Sequence, residues 1–345
     1  MRHLQSLTPL RGLAALAVLL FHLTRGGNDT SVPAFFLRGY LGVDLFFVLS
    51  GFVLAHVYHA SFLSDAPWRS AGAFFWARAA RIYPVHLFVT GLLVASSGAP
   101  GFSRFEVLDN FLLILVPWPV HAINPPSWSL SAEWYAYLLF PFLVGWLWRC
   151  SGRTAAAFCF ALLLGLDILI VVYFGELREI GVGWGALARA LPEFAVGVMT
   201  YRAFRDPAAA RLWHSDAAFL AVAAALALAL EFVPNDGVIV ALFPLLLLVA
   251  VSNAGVAARL LNAWPLRSMG DISYSVYLGQ SLAFSLVLSL SATRFGPLLG
   301  INGLRVFTVA STLAIGALLY RCVEMPCRTL LRRAPDQLRR LAARA

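Results

Sequence analysis

Residues 8–24 read Thr-Pro-Leu-Arg-Gly-Leu-Ala-Ala-Leu-Ala-Val-Leu-Leu-Phe-His-Leu-Thr, an apolar run broken only by Arg11 and His22. A helix of that length crosses the hydrocarbon core of a bilayer, which is roughly 30 Å thick. In length the run resembles a signal peptide. It carries two ionisable side chains and is followed by many similar runs, so it is expected to stay in place as a first membrane span.

The same pattern continues outward to about residue 320. Spans are expected near 8–24, 40–58, 82–97, 130–148, 155–174, 184–201, 215–232, 237–252, 272–291 and 300–320. With 60% hydrophobic and 12% charged residues and a mean hydropathy of +0.78, the chain could not present a water-facing surface of soluble size. The expected fold is all-α, a polytopic transmembrane bundle of about ten spans. It forms one domain over residues 1–330, followed by a basic cytoplasmic tail at 331–345. An eleventh apolar run, Phe111 to Val116, is too short to span and is followed by Pro117, Pro119, Pro125 and Pro126. It is expected to be a re-entrant or interfacial half-helix near 108–120.

The net charge of +9 comes from 26 basic residues, all arginine, against 17 acids. In a soluble chain that balance would point to nucleic acid; here the arginines follow the positive-inside rule, and no nucleic-acid partner is expected. The segments containing Arg2; Arg69, Arg78 and Arg81; Arg149 and Arg153; Arg202, Arg205 and Arg211; Arg259 and Arg267; and the tail alternate with arginine-poor connections. Residues 231–236 are acidic. Ten spans with both termini inside satisfy this pattern, placing a multi-pass protein in the cytoplasmic (inner) membrane, its tail against anionic headgroups. The run Ala217 to Leu230 is near-uniform Ala and Leu and is expected to face lipid. Cys150, Cys159, Cys322 and Cys327 lack a CxxC spacing and are expected as free thiols. His56, His59, His86, His121 and His214 share no ligand spacing on one face, so no metal site is expected.

Charges inside membrane helices are costly, and they mark function or specific pairing. Arg11 and His22 are eleven residues apart, which puts them on one helix face about 16 Å apart along the axis. Arg78 and Arg81 lie one turn apart at the inner mouth of the third span, where two guanidiniums suit a phosphate or pyrophosphate as well as ordinary flanking. Glu133 is expected just within the outer end of its span at the depth of His22, as the carboxylate that orients a histidine base. Asp44 competes for that role, or else bonds to backbone or to Arg38. Arg189 and Glu193, four residues apart, are expected to pair with each other, with Pro192 kinking the segment. Asp271 is expected as a helix cap and Glu324 as a partner of Arg328.

Arg11 to His22 matches the R-x10-H signature of the acyltransferase-3 family of integral membrane O-acyltransferases, which the chain resembles from about residue 5 to 330. Gly42-Val-Asp-Leu-Phe-Phe-Val-Leu-Ser-Gly51, Arg78-Ala-Ala-Arg81-Ile-Tyr-Pro, Trp128-Ser-Leu-Ser-Ala-Glu133-Trp, Leu191-Pro-Glu-Phe-Ala-Val-Gly197, Ile272-Ser-Tyr-Ser-Val-Tyr-Leu278 and Val323-Glu-Met-Pro-Cys-Arg328 resemble its other blocks in order. The resemblance implies transfer of an acyl group, commonly acetyl, from cytoplasmic acyl-CoA to a hydroxyl of a glycan, lipid-linked sugar or secondary metabolite. Acyl-CoA, acetyl-CoA foremost, would then be a co-substrate, with no tightly bound cofactor. His22 would be the catalytic histidine, and Arg11, Arg78 and Arg81 would be required or CoA-binding positions. Asp44, Trp128 and Ser129 complete the candidate substrate-binding set. Where many relatives carry a histidine after the Ser-Tyr-Ser-x-Tyr-Leu block, this chain has Gly279-Gln280, so no role passes to that position. The esterase-like domain of many polysaccharide-modifying relatives is not expected here. A second reading, a transporter or flippase whose intramembrane charges line a proton or substrate path, is disfavoured by the absence of an inverted repeat; a sensor subunit is a third.

Overall fold

The structure is a computed structural model, and it describes all residues except 1–3, 25–31, 65–66, 119, 178–179, 182, 207–212, 294 and 333–345. Arg2, Arg211 and the tail from residue 333 therefore lie outside the described residues. The described chain is predominantly helical, without strands. Eleven helices organise it: α1 (Leu7–Thr24), α2 (Gly42–Phe62), α3 (Pro67–Ser97), α4 (Arg104–Leu112), α5 (Ser127–Arg149), α6 (Gly152–Leu169), α7 (Gly183–Phe204), α8 (Asp216–Phe232), α9 (Phe243–Ser252), α10 (Trp264–Ser291) and α11 (Phe295–Leu319). Among the described residues, seven segments are long and apolar enough to cross a membrane. The protein is an integral, multi-pass membrane bundle.

Helix α7 falls outside those seven because it carries Arg189, Glu193 and Arg202, and α8 and 236–252 because they are short. The third span begins earlier than expected, since α3 is continuous from Pro67 through Pro84. Asp271 caps nothing: α10 already starts at Trp264, which leaves Asp271 in its second turn. On α8 only Ala229 is buried, as its Ala/Leu monotony implies for a lipid-facing helix. All four cysteines are free thiols.

The core of the bundle is the α2–α7 crossing. Gly51 and Gly197 lie against the carbonyl oxygens of Phe194 and Val48 respectively, so the backbones approach as they do in small-residue membrane interfaces. A Cβ at either position would overlap that oxygen. Gly197→Ala is expected to cost about 2–3 kcal/mol, read as a lower unfolding temperature in detergent; an unchanged melting curve would show that this crossing is loose.

Helix ends are closed by arginines. The guanidinium of Arg38 donates to the carbonyls of Ala229, Leu230 and Val233 at the end of α8, and Arg202 donates to those of Leu147 and Cys150 at the end of α5. Cations at helix C-termini satisfy orphan carbonyls and complement the helix dipole. Arg38 is thus a capping residue and not the partner of Asp44.

The segment between α3 and α5 departs from the expected half-helix at 108–120. Ser103 and Glu106 form a capping box that starts α4 early, and Leu113, in the left-handed region at φ 58°, ends it. The apolar residues 113–116 are non-helical, and Leu113, Leu115 and Val116 are buried while Ile114 is exposed. One hydroxyl, that of Ser131 on α5, serves their backbone: it accepts from the amides of Leu115 (3.1 Å) and Val116 (3.3 Å) and donates to the carbonyl of Leu113 (2.6 Å). Irregular backbone persists in a membrane protein only where protein satisfies it in this way.

Candidate active site

Helix α5 starts inside the bundle. Asn124, Ser127 and Ser131 are fully buried, and the side chain of Asn124 bonds to the carbonyl of Leu278 (3.3 Å) and to Ser281 (2.6 Å), both near the middle of α10. Two turns further on, Glu133 meets the middle of α2, where its Oε1 accepts from Ser50 (2.6 Å) and from Tyr137 (2.6 Å). The expectation that Glu133 sits at the outer end beside His22 is therefore corrected. The buried start of α5 lowers the carboxylate to mid-bundle, and its partners are Ser50 and Tyr137.

Glu133 lines a cavity of about 140 Å³ together with Arg11, Arg78, Arg81, Ser50, Ser129, Tyr137, Tyr274 and Tyr277 and an apolar wall from α2. Three of the predicted guanidiniums thus converge on one space from α1 and α3, with the predicted carboxylate opposite them. Arg78 reaches Tyr58 (3.3 Å), and its Nε is buried with no hydrogen-bond partner. Arg81 stacks over the ring of Tyr274 at 4.9 Å and forms an ion pair with Glu324, which also accepts from Ser275 at 2.7 Å. Glu324 was expected to pair locally with Arg328; the antiparallel approach of α3 brings it the buried partner instead. Ser129 shares a hydrogen bond with Tyr277 at 2.8 Å. The sequence reading missed Ser50, Tyr137, Tyr274 and Tyr277, although each stands in or beside a block quoted above. The signal for Tyr137 was its place four residues after Glu133, on the same helix face.

His22 and Trp128 do not line this cavity. His22 lies three turns along α1 from Arg11, half-buried, its ring 5.3 Å from Phe21 and 6.2 Å from Phe284 of α10. Trp128 packs on Phe47 and over the guanidinium of Arg189. That guanidinium grips Asp44 bidentately, at 2.7 and 2.6 Å, and also donates to the carbonyls of Leu177 and Ile180. The expected Arg189–Glu193 and Asp44–His22 pairings are both superseded. An intrahelical neighbour four residues away loses to a carboxylate on α2 that meets the planar fork with two parallel bonds. Asp236 extends this network by accepting from Tyr40 (3.0 Å) and from the amide of Leu177 (2.8 Å). His86 is buried against the carbonyl of Asn110 (2.8 Å) and the hydroxyl of Ser127 (3.2 Å), where it braces the irregular segment. Among the described residues no group of three His, Cys, Asp or Glu side chains gathers as a metal site would require.

Fold and cavity together define a membrane-embedded domain in which three guanidiniums and one carboxylate line a single cavity. Residues 4–321 match the acyltransferase domain family, and the chain belongs to it. It is thereby a membrane acyltransferase domain. The chain is 36% identical over 180 residues to acyltransferase MdmB of Streptomyces mycarofaciens, covering 45% of this chain and 44% of that protein. Over 148 residues it is 41% identical to protein 2 in the picA locus of Rhizobium radiobacter, covering 36% of this chain and 73% of that protein. Along most of its length it is similar to exopolysaccharide production protein ExoZ of Rhizobium meliloti (strain 1021), at 29% identity over 326 residues, 86% of this chain and 91% of that protein. This chain thus spans less than half of MdmB. No solved structure matches it.

Proposed function

We propose that the chain transfers an acyl group, acetyl in the first instance, from cytoplasmic acyl-CoA to a hydroxyl of a glycan, lipid-linked sugar or secondary metabolite. The observation that carries this reading is the convergence of the half-buried Arg11, Arg78 and Arg81 on one partly open cavity, with Arg78 left short of partners. Guanidiniums drawn together out of water suit an anion that completes them, and a pyrophosphate offers bidentate oxygens. Family membership supports acyl transfer. The glycan acceptor draws support from the name of ExoZ, the relative matched along nearly its whole length. The location in the inner membrane, with the Arg78 end facing the cytoplasm, belongs to the same proposal.

In this reading the donor's phosphates rest on Arg78 and Arg81 while its thioester arm runs along α1 toward His22. His22 takes the proton of the acceptor hydroxyl as that oxygen attacks the thioester carbonyl. The carbon–sulfur bond breaks, and the proton leaves with the CoA thiolate. Glu133, held by Ser50 and Tyr137, offsets the arginine charge within the cavity and does not orient His22. The first test is thioester consumption by the purified protein with release of CoA. Arg78→Gln is expected to raise the KM for acyl-CoA about tenfold or more, whereas an unchanged KM would remove Arg78 from the donor site. Arg81 is the less discriminating position, because its loss would also strand Glu324.

A further inference from the structure

Past the cavity, α3 and the continuation of α11 through residue 332 run antiparallel, and two contacts set their register. Arg81 pairs with Glu324, and Trp76 Nε1 donates to the carbonyl of Leu331 at 2.7 Å. Between these contacts the register sets Arg78 opposite Arg328. The charges of Arg81, Arg332 and Arg78 all act on Arg328. Arg328 and Arg332 follow Glu324 at steps of four, which places all three on one helix face. Four guanidiniums therefore meet at this rim. Of the carboxylates nearby, Glu324 is committed to Arg81 and Ser275 and Glu133 is held by Ser50 and Tyr137, while the buried Nε of Arg78 has no partner. Like charges held this close repel unless an anion bridges them.

The cavity beyond has space for roughly ten waters, so the nucleotide end of an acyl-CoA must remain outside it, at this rim. We propose that Arg328 and Arg332, facing Arg78, form a second anion site that binds a phosphomonoester, the 3′-phosphate of the acyl-CoA donor. The proposal rests on the acyl-CoA reading above and adds to it a basis for telling CoA from its 3′-dephospho form. A lipid headgroup could offer the same chemistry. The continuity of the rim with the internal cavity through Arg78 and Arg81 favours the donor.

The experiment compares kcat/KM for acetyl-CoA and 3′-dephospho-acetyl-CoA on the full chain in neutral detergent. The unaltered protein is expected to prefer acetyl-CoA at least about tenfold. In Arg328→Gln/Arg332→Gln that preference should fall to near unity, and Arg328→Lys/Arg332→Lys should retain part of it. A second measurement needs no variant: adenosine 3′,5′-bisphosphate should inhibit the unaltered protein at least about tenfold better than adenosine 5′-monophosphate. Equal inhibition, no preference in the unaltered protein, or a preference that survives the glutamine pair would each overturn the proposal. So would glutamine variants that keep the preference but lose binding to vesicles containing phosphatidic acid, which would assign the rim to lipid. If neither thioester is consumed, the acyl-CoA reading itself falls, an outcome distinct from consumption without discrimination.

Discussion

Replacing His22 with alanine is expected to lower kcat about a thousandfold, the usual contribution of a positioned general base, while acyl-CoA affinity changes by less than about twofold. The split follows from geometry. His22 stands on the same face of α1 as Arg11 but about 16 Å along the axis, away from the cavity that Arg11, Arg78 and Arg81 line. Its ring is seated between Phe21 and Phe284, contacts an alanine would lose without disturbing the arginines. Acyl transfer by a variant that elutes as a single species and binds acyl-CoA is the measurement. Transfer at the unaltered rate would remove His22 from the chemistry, and loss of donor binding would make it a binding residue.

The second large effect concerns stability. Arg189, Asp44 and Glu193 are all buried, and the guanidinium joins α7 to α2 through two short bonds to Asp44. Removing one partner of such a pair leaves an uncompensated charge, at a cost of about 3–5 kcal/mol. The two single substitutions should differ. Arg189→Met strands Asp44 with Glu193 close by, and it also deprives the carbonyls of Leu177 and Ile180 of their donor. Asp44→Asn leaves Arg189 with Glu193 as a nearby acid and with both carbonyls still served. Arg189→Met is therefore expected to abolish recovery of folded protein, and Asp44→Asn to lower its thermal stability while leaving it recoverable. Equal stability of the two variants would show that the ion pair contributes little to the fold.

The fold was legible because the bilayer imposes a ruler: each of the ten apolar runs is helical, and the Phe111–Val116 run is not a span. Arg11, Arg78, Arg81 and Glu133 were legible as candidates because charge is rare in such helices. Their relative depth was less so. Counting residues from an assumed membrane surface put Glu133 level with His22, whereas the chain tucks Asn124 and Ser127 into the bundle before α5 begins. Pairing was the least legible. Intrahelical spacing suggested Arg189 with Glu193 and Glu324 with Arg328, yet both ions chose partners on other helices. Local spacing reports which pairs are available, and three-dimensional packing selects among them.

The Ser131 hydroxyl that serves three backbone groups of residues 113–116 bears on how the chain enters the membrane during synthesis. Those residues leave the ribosome before Ser131 does, and until α5 follows they have no partner that would let bare peptide groups enter hydrocarbon. Residues 113–116 are therefore expected not to be released into lipid ahead of α5. They must wait beside the insertion machinery, or in the aqueous interface, until α5 arrives to close over them, which makes α3 through α5 one unit of biogenesis.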